Sequence, residues 1–219
     1  DIKGRFSVTG DLEEACKDAD IVIEAIIEDK AAKMDILGKI SKLVKPDTLI
    51  ATNSSYMVSS TFKNVVSHPE RLANLHYFMP ALVMKLVEVV KGEHTSQETI
   101  DRLMAFAREV GKTPVYVRKE EDGFIVNNVL KAIKEEAYRL VREGVCTPRD
   151  LDTAVELGLN HPMGPFKIDD MNGLDLRYDI LKRRYQETGV KSYGYDMIED
   201  LCKQGRYGKK NKHGFYDYE

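Results

Sequence analysis

A histidine and a glutamate interrupt the otherwise strand-like run NLHYFMPALVMKLVE at residues 74–88. His76 and Glu88 stand twelve positions apart, too far to be neighbours on one helix face. A strand, a turn at Pro80 and a returning strand would bring them together. The chemistry of such a pair is definite. A buried carboxylate that accepts from one imidazole nitrogen fixes the tautomer, orients the ring and leaves the other nitrogen as a general base. Taken alone, a histidine in an apolar strand is more often a satisfied core residue, and Glu88 also fits an edge strand facing solvent.

The elements that must position this pair follow from periodicity. Short β-branched or apolar runs at 5–9, 20–27, 48–52, 72–77, 86–91 and 113–118 are expected strands. Helical patterns fill several gaps, at 29–44, 59–66 and 96–110. The last of these carries Ile100, Leu103, Phe106, Ala107 and Val110 on one face, and Gly111 with Pro114 stops it. Strands alternating with helices imply a parallel α/β architecture. After Arg118 the charged connector KEEDG leads into a long amphipathic segment in which Val126, Val129, Leu130, Ile133, Ala137, Leu140 and Val141 recur at helical spacing. A second, all-helical domain begins there. Thr147 and Pro148 read as N-cap and first helical position, with Gly158 closing that helix, and further helices are expected at 163–171, 174–187 and 195–204. The expected domains are therefore 1–118 and 123–219.

Composition narrows the function classes. The 33 basic and 36 acidic residues are spread along the chain and leave a net charge of −3, so no broad basic surface for nucleic acid or anionic lipid is indicated. No apolar run approaches the roughly 18 residues that a membrane-spanning helix needs. Cys16, Cys146 and Cys202 lie far apart without CxxC spacing, which speaks against a disulfide framework or zinc site and fits a reducing, cytoplasmic compartment.

Seven stretches, taken in order, resemble the L-3-hydroxyacyl-CoA dehydrogenase family, which includes bacterial 3-hydroxybutyryl-CoA dehydrogenases. They are IVIEAIIED (21–29), ATNSS (51–55), LHYFMPALVMKLVEVVKG (75–92), GKTPV (111–115), DGFIVNNVL (122–130), DLDTAVELGLNHPMGPFKIDDMNGLD (150–175) and GKKNKHGFYDY (208–218). Each is weakly specific alone; the seven in family order are strong, and the resemblance runs along essentially the whole chain. The resemblance implies a doubly wound, Rossmann-like NAD-binding domain followed by a helical dimerisation domain, with the catalytic cleft between them and a homodimer formed through the helices. It implies hydride transfer between an L-3-hydroxyacyl-CoA and NAD, with NADP as the alternative cofactor, His76 acting as catalytic base and Glu88 as its orienting partner. Ser55 matches the serine that hydrogen-bonds the reacting oxygen, and Asn127 matches an asparagine on the first helix of the second domain. Glu28, Lys33, Asn53 and Ser55 fall on the cofactor side, where the loop after a strand meets the next helix. Judged without the family, Ser55 is ordinary turn or cap chemistry, Asn127 an interdomain hydrogen bond and Glu28–Lys33 an exposed charged pair. The tail is expected to fold back on the helical domain, with His213 structural.

Three departures from the family pattern stand out. No G-x-G-x-x-G loop occurs, and Gly4 and Gly10 cannot supply one, so the resemblance implies that a βαβ unit of about 30 or more residues precedes Asp1. Met79 replaces the usual asparagine before the proline, and Asp122 the usual proline before GF. The rival readings are a related dehydrogenase for a free or carnitine-linked hydroxy acid, and a noncatalytic binding or assembly module of the same fold.

Overall fold

The computed structural model describes residues 3–219, and its contacts divide the chain into two compact units, one ending at Asn128 and one running from Val129 to Glu219. The first unit is built on a five-stranded sheet in the order β1 (Ile21–Glu24), β2 (Leu49–Thr52), β3 (Leu72–Tyr77), β4 (Leu86–Val90) and β5 (Thr113–Val117). β1, β2 and β3 are parallel, β4 runs antiparallel to β3, and β5 is parallel to β4. Helices α1 (Leu12–Cys16), α2 (Lys30–Leu43) and α3 (Gln97–Glu109) complete the unit. Side-chain oxygens cap each of them: Asp11 for α1, Asp29 for α2 and Ser96 for α3.

Two expected elements differ. The run at 5–9 forms no strand: Lys3–Arg5 is a 3-10 turn, and Phe6 and Val8 are exposed. Thr9 bonds Glu14 and the Asp11 amide, so local side-chain bonds that start α1 take the place of a ladder. The segment 59–66 is not an α-helix either. It winds through a 3-10 turn, Ser59–Thr61, and further i to i+3 bonds that still bury Phe62 and Val66. Eight residues ending in Val65 and Val66 are too short and too β-branched to sustain α geometry.

Period-two alternation sorts the sheet into two faces. Leu49, Ala51, Ala73, Leu75, Val87 and Val89 pack against Ile100, Leu103 and Ala107 of α3. The opposite face puts Ile50 and Leu72 against Leu37, Ile40 and Val44 on and after α2. Alternation places Glu24, Thr52, Asn74, His76 and Glu88 on that second face too, all buried. This face is therefore apolar where β1–β3 begin and polar where they end. That polar edge is where open parallel sheets take ligands.

The second unit consists of the rest of α4 (Val126–Arg142), then α5 (Pro148–Gly158), α6 (Pro165–Asn172), α7 (Leu174–Thr188) and α8 (Tyr195–Lys203), around Tyr138, Phe166, Leu174, Leu181 and Ile198. Thr147 and Asp150 form a reciprocal capping box that opens α5. The C-terminal tail lies against α6, its Phe215 and Tyr216 amides and Tyr218 hydroxyl all donating to Asp170. His213 bonds Asp217 within the tail at 2.9 Å.

Candidate active site

The turn at Pro80 returns the chain as foreseen, and the antiparallel β3–β4 register sets His76 directly across from Glu88. Cross-strand partners have side chains close enough to touch, and His76 Nδ1 lies 3.0 Å from Glu88 Oε2. An ionised carboxylate only accepts, so the proton sits on Nδ1 and the Nε2 lone pair is free. Ser55 Oγ donates to that Nε2 at 3.0 Å. Both members of the dyad are buried, 3% exposed for His76 and 0% for Glu88, which excludes the reading of Glu88 as a solvent-facing edge residue.

Glu88 is held at its other oxygen as well. Oε1 accepts from the amides of Ile125 at 3.1 Å and Val126 at 3.0 Å, where α4 starts. Amides at a helix N-terminus point their donors at a carboxylate, which fixes Glu88 in direction. Reaching it requires a sharp bend, for Gly123 and Phe124 both adopt left-handed backbone, φ 80° and 51°. For phenylalanine that conformation is unusual and costs about 1–3 kcal/mol. Burial of the Phe124 ring, 5.4 Å from the His76 ring, and the bond from its amide to Glu121 O hold it in place. Phe78 packs edge-on against His76 from its other neighbour position, with ring centroids 4.6 Å apart.

Beside the dyad, a cavity of about 270 Å³ opens at the carboxyl ends of β1 and β2, lined by Ala25, Ile26, Glu28, Lys33, Asn53 and Ser55, with Tyr56 at its rim. Lys33 is 1% exposed, which overturns its reading as half of an exposed pair. Its ammonium reaches Glu24 at 2.7 Å, Glu28 at 3.3 Å and the Ile26 carbonyl at 3.4 Å. Burial acts to raise the Glu28 carboxyl, but the Ser54 hydroxyl, Lys33 and the Tyr56 amide together hold it below its ordinary range. Asn53 accepts the Tyr77 amide at 2.8 Å, tying the loop to the end of β3. Asn127 is half-buried in the first turn of α4, beside the amides that hold Glu88, with no side-chain hydrogen bond among the described residues. Met79, 82% exposed, makes no part of the dyad's packing.

The sequence reading missed Asn74. It is fully buried, accepts the Ser59 amide at 2.7 Å and donates to the Met57 carbonyl at 2.9 Å, so it fastens the loop that carries Ser55. Its signal was present, since a residue two before His76 in a strand shares its face. Glu24 was missed for the same reason. It is a carboxylate inside the apolar run DIVIEAII, and it accepts from Lys33 and from Thr52 Oγ1 at 2.6 Å.

A pocket at the carboxyl ends of parallel strands thus lies next to an imidazole oriented by a carboxylate, with a hydroxyl at its other nitrogen, a geometry suited to binding a ligand and moving a proton. The family model described as 3-hydroxyacyl-CoA dehydrogenase, NAD binding domain, matches residues 1–121, and that of the C-terminal domain matches 123–218. The chain belongs to the 3-hydroxyacyl-CoA dehydrogenase family. It is 40% identical to a probable 3-hydroxybutyryl-CoA dehydrogenase of Bacillus subtilis, covering 98% of this chain and 75% of that protein. Identity to the 3-hydroxybutyryl-CoA dehydrogenase of Clostridioides difficile is 36%, over 94% of this chain and 73% of that one. Among solved structures, the (S)-3-hydroxybutyryl-CoA dehydrogenase of Ralstonia eutropha superposes with a TM-score of 0.85 at 33% identity, covering 96% of this chain and 74% of that chain. The residues present fit the nicotinamide end of the family's cofactor: the cavity pairs the apolar Ala25 and Ile26 with the polar Asn53 and Glu28, and its Ser55 bonds His76. No helix among the described residues is long and apolar enough to cross a membrane.

Proposed function

We propose that this protein interconverts an L-3-hydroxyacyl-CoA of short chain, such as 3-hydroxybutyryl-CoA, with the 3-ketoacyl-CoA, using NAD. When bound, NAD supplies the hydride acceptor. The chain's own residues manage the proton. His76 Nε2 takes it from the substrate's 3-hydroxyl as the carbon is oxidised, and the imidazolium that forms is stabilised through Nδ1 by Glu88. The Ile125 and Val126 amides, by holding its second oxygen, keep Glu88 aimed at the ring. Ser55, already on Nε2, donates to the reacting oxygen when substrate takes its place, and Asn127 supplies an amide from the first turn of α4. Glu28, Lys33 and Asn53 form the cofactor side, Lys33 by shaping the pocket floor through its contacts with Glu24 and Glu28. In the reverse direction the same imidazolium returns the proton.

The observation that carries this reading is the Ser55–His76–Glu88 chain at 3.0 Å for each bond, with the carboxylate anchored on backbone amides. Identity to the two bacterial 3-hydroxybutyryl-CoA dehydrogenases supports the short acyl chain. The reading includes a homodimer built through the helical unit, for which the exposed Val145, Leu157 and Leu159 offer apolar surface, checked by light scattering. It also includes a cytoplasmic, fatty-acid-metabolising setting, in keeping with three unpaired cysteines. The test is NADH formation with 3-hydroxybutyryl-CoA, alongside the free acid and its carnitine ester. His76→Gln is expected to lower kcat by about 10²–10⁴-fold with an unchanged fold. Undiminished turnover, or preference for the carnitine ester, sinks the reading.

A further inference from the structure

The connector KEEDG does more than join the two expected domains. Glu120 Oε1 accepts from Ser59 Oγ at 2.7 Å and from the Ser60 amide at 2.9 Å. Ser59 is fully buried, and its own amide is held by Asn74. The loop 53–60 that carries Ser55 is thus fastened to the sheet by Asn53 and Asn74, to Glu28 in the loop after β1 by Ser54, and to the connector by Glu120. Five and six residues after Glu120, the chain leaving this connector brings the Ile125 and Val126 amides to Glu88, through the left-handed bend at Gly123 and Phe124.

The two ends of the catalytic hydrogen-bond chain therefore hang on one short segment. Space for this carboxylate is kept by Gly92, since a Cβ there would lie 2.9 Å from Glu120 Oε1 and 2.4 Å from the His94 ring. His94 lies against the same hydroxyl, Nε2 at 3.4 Å from Ser59 Oγ, while its Nδ1 is buried without a partner among the described residues. We infer that Glu120 is a positioning residue for the reaction: by clamping Ser59 and Ser60 to the connector that anchors Glu88, it sets the Ser55–His76 contact. It touches no reacting atom and acts only through Ser55. The inference rests on the proposed dehydrogenase chemistry.

Its test is Glu120→Ala in the full chain, alone and combined with Ser55→Ala. Displacing a positioned group by about an ångström is worth up to about 10²-fold, so Glu120→Ala is expected to lower kcat about 10- to 100-fold with KM values changed less than about threefold. Glu120→Gln, whose amide oxygen still accepts both donors, should restore most of the rate. In the Ser55→Ala background Glu120→Ala should cost little more, because the contact it sets is gone. A full multiplicative loss in that background overturns the inference, as does wild-type kcat in Glu120→Ala. A second readout needs no turnover. The His76 Nε2 resonance in ¹⁵N-histidine NMR reports the Ser55 bond, and Glu120→Ala should move it in the direction that Ser55→Ala does. If it moves so in a protein that turns over no hydroxyacyl-CoA, the functional reading falls and the clamp stands; an unmoved resonance removes the clamp.

Discussion

Glu88 commits one oxygen to His76 and the other to two backbone amides, and this division decides which nitrogen of His76 is basic. Substituting an amide makes the dependence visible. In Glu88→Gln the side-chain oxygen is drawn to the Ile125 and Val126 amides, and its NH₂ group then faces His76 Nδ1. A donor there demands the opposite tautomer, with the proton on Nε2, so the base has no lone pair to offer. The same logic costs about 10⁴-fold when the carboxylate of a serine-protease triad becomes an amide. For Glu88→Gln a fall in kcat of about 10³–10⁴-fold is expected, with the thermal midpoint little changed because volume and shape are kept. Steady-state kinetics beside a melting curve decide it. A rate within tenfold of wild type would mean that Glu88 merely packs against the ring.

At the scale of elements, one buried cation joins α2 to the edge of the sheet. Lys33 comes from the first turn of α2, and Glu24, which it meets at 2.7 Å, ends β1 and also binds Thr52 at the end of β2. Removing one partner of a buried pair strands the other charge, at a cost of about 3–5 kcal/mol. Lys33→Ala is accordingly expected to lower the unfolding free energy, read from denaturant curves, by that order, whereas substitution of the exposed Lys39–Asp35 pair on the same helix should change it by less than about 1 kcal/mol. Equal small effects would show Lys33 to be surface-like. Sequence alone revealed much of this architecture and missed its joints, for physical reasons. Five of the six expected strands and the long helices form because their apolar periodicity matches the packed faces, as in β2 with Leu49 and Ala51 one way and Ile50 the other. His76 and Glu88 were legible because the turn at Pro80 is local and the register follows from it. The Lys33–Glu24 and Glu120–Ser59 contacts were not, since each joins residues whose proximity depends on where whole elements cross. The segment 5–9 misled because β-branched composition cannot say whether a neighbouring strand is there to pair with.

For the molecule as a whole, two units with separate cores mean two separable stabilities. The sheet unit is centred on Leu75, Val89 and Leu103, the helical unit on Tyr138, Phe166 and Leu174. In the helical unit, Asp170 is the buried anchor for the tail. It takes the Phe215 amide at 2.8 Å, the Tyr216 amide at 3.0 Å and the Tyr218 hydroxyl at 2.9 Å. Burial pushes its carboxyl above the ordinary range, while these three donors pull the other way. Glycine is required around it, for a Cβ at Gly214 would lie 2.1 Å from Asp170 Oδ1 and one at Gly208 2.2 Å from its carbonyl oxygen. Asp170→Asn replaces an acceptor with an NH₂ group facing hydrogen-bond donors, so at least one bond is lost and one donor left unpaired, about 2–4 kcal/mol. Stability is lost where the cooperative unit breaks. Amide exchange is therefore expected to accelerate at Phe215, Tyr216 and the α6 residues, while Leu75 and Val89 in the sheet keep wild-type protection. Faster exchange throughout both units would show instead that they unfold as one body, and the tail's anchor would then bear on the active site as much as on the helical unit.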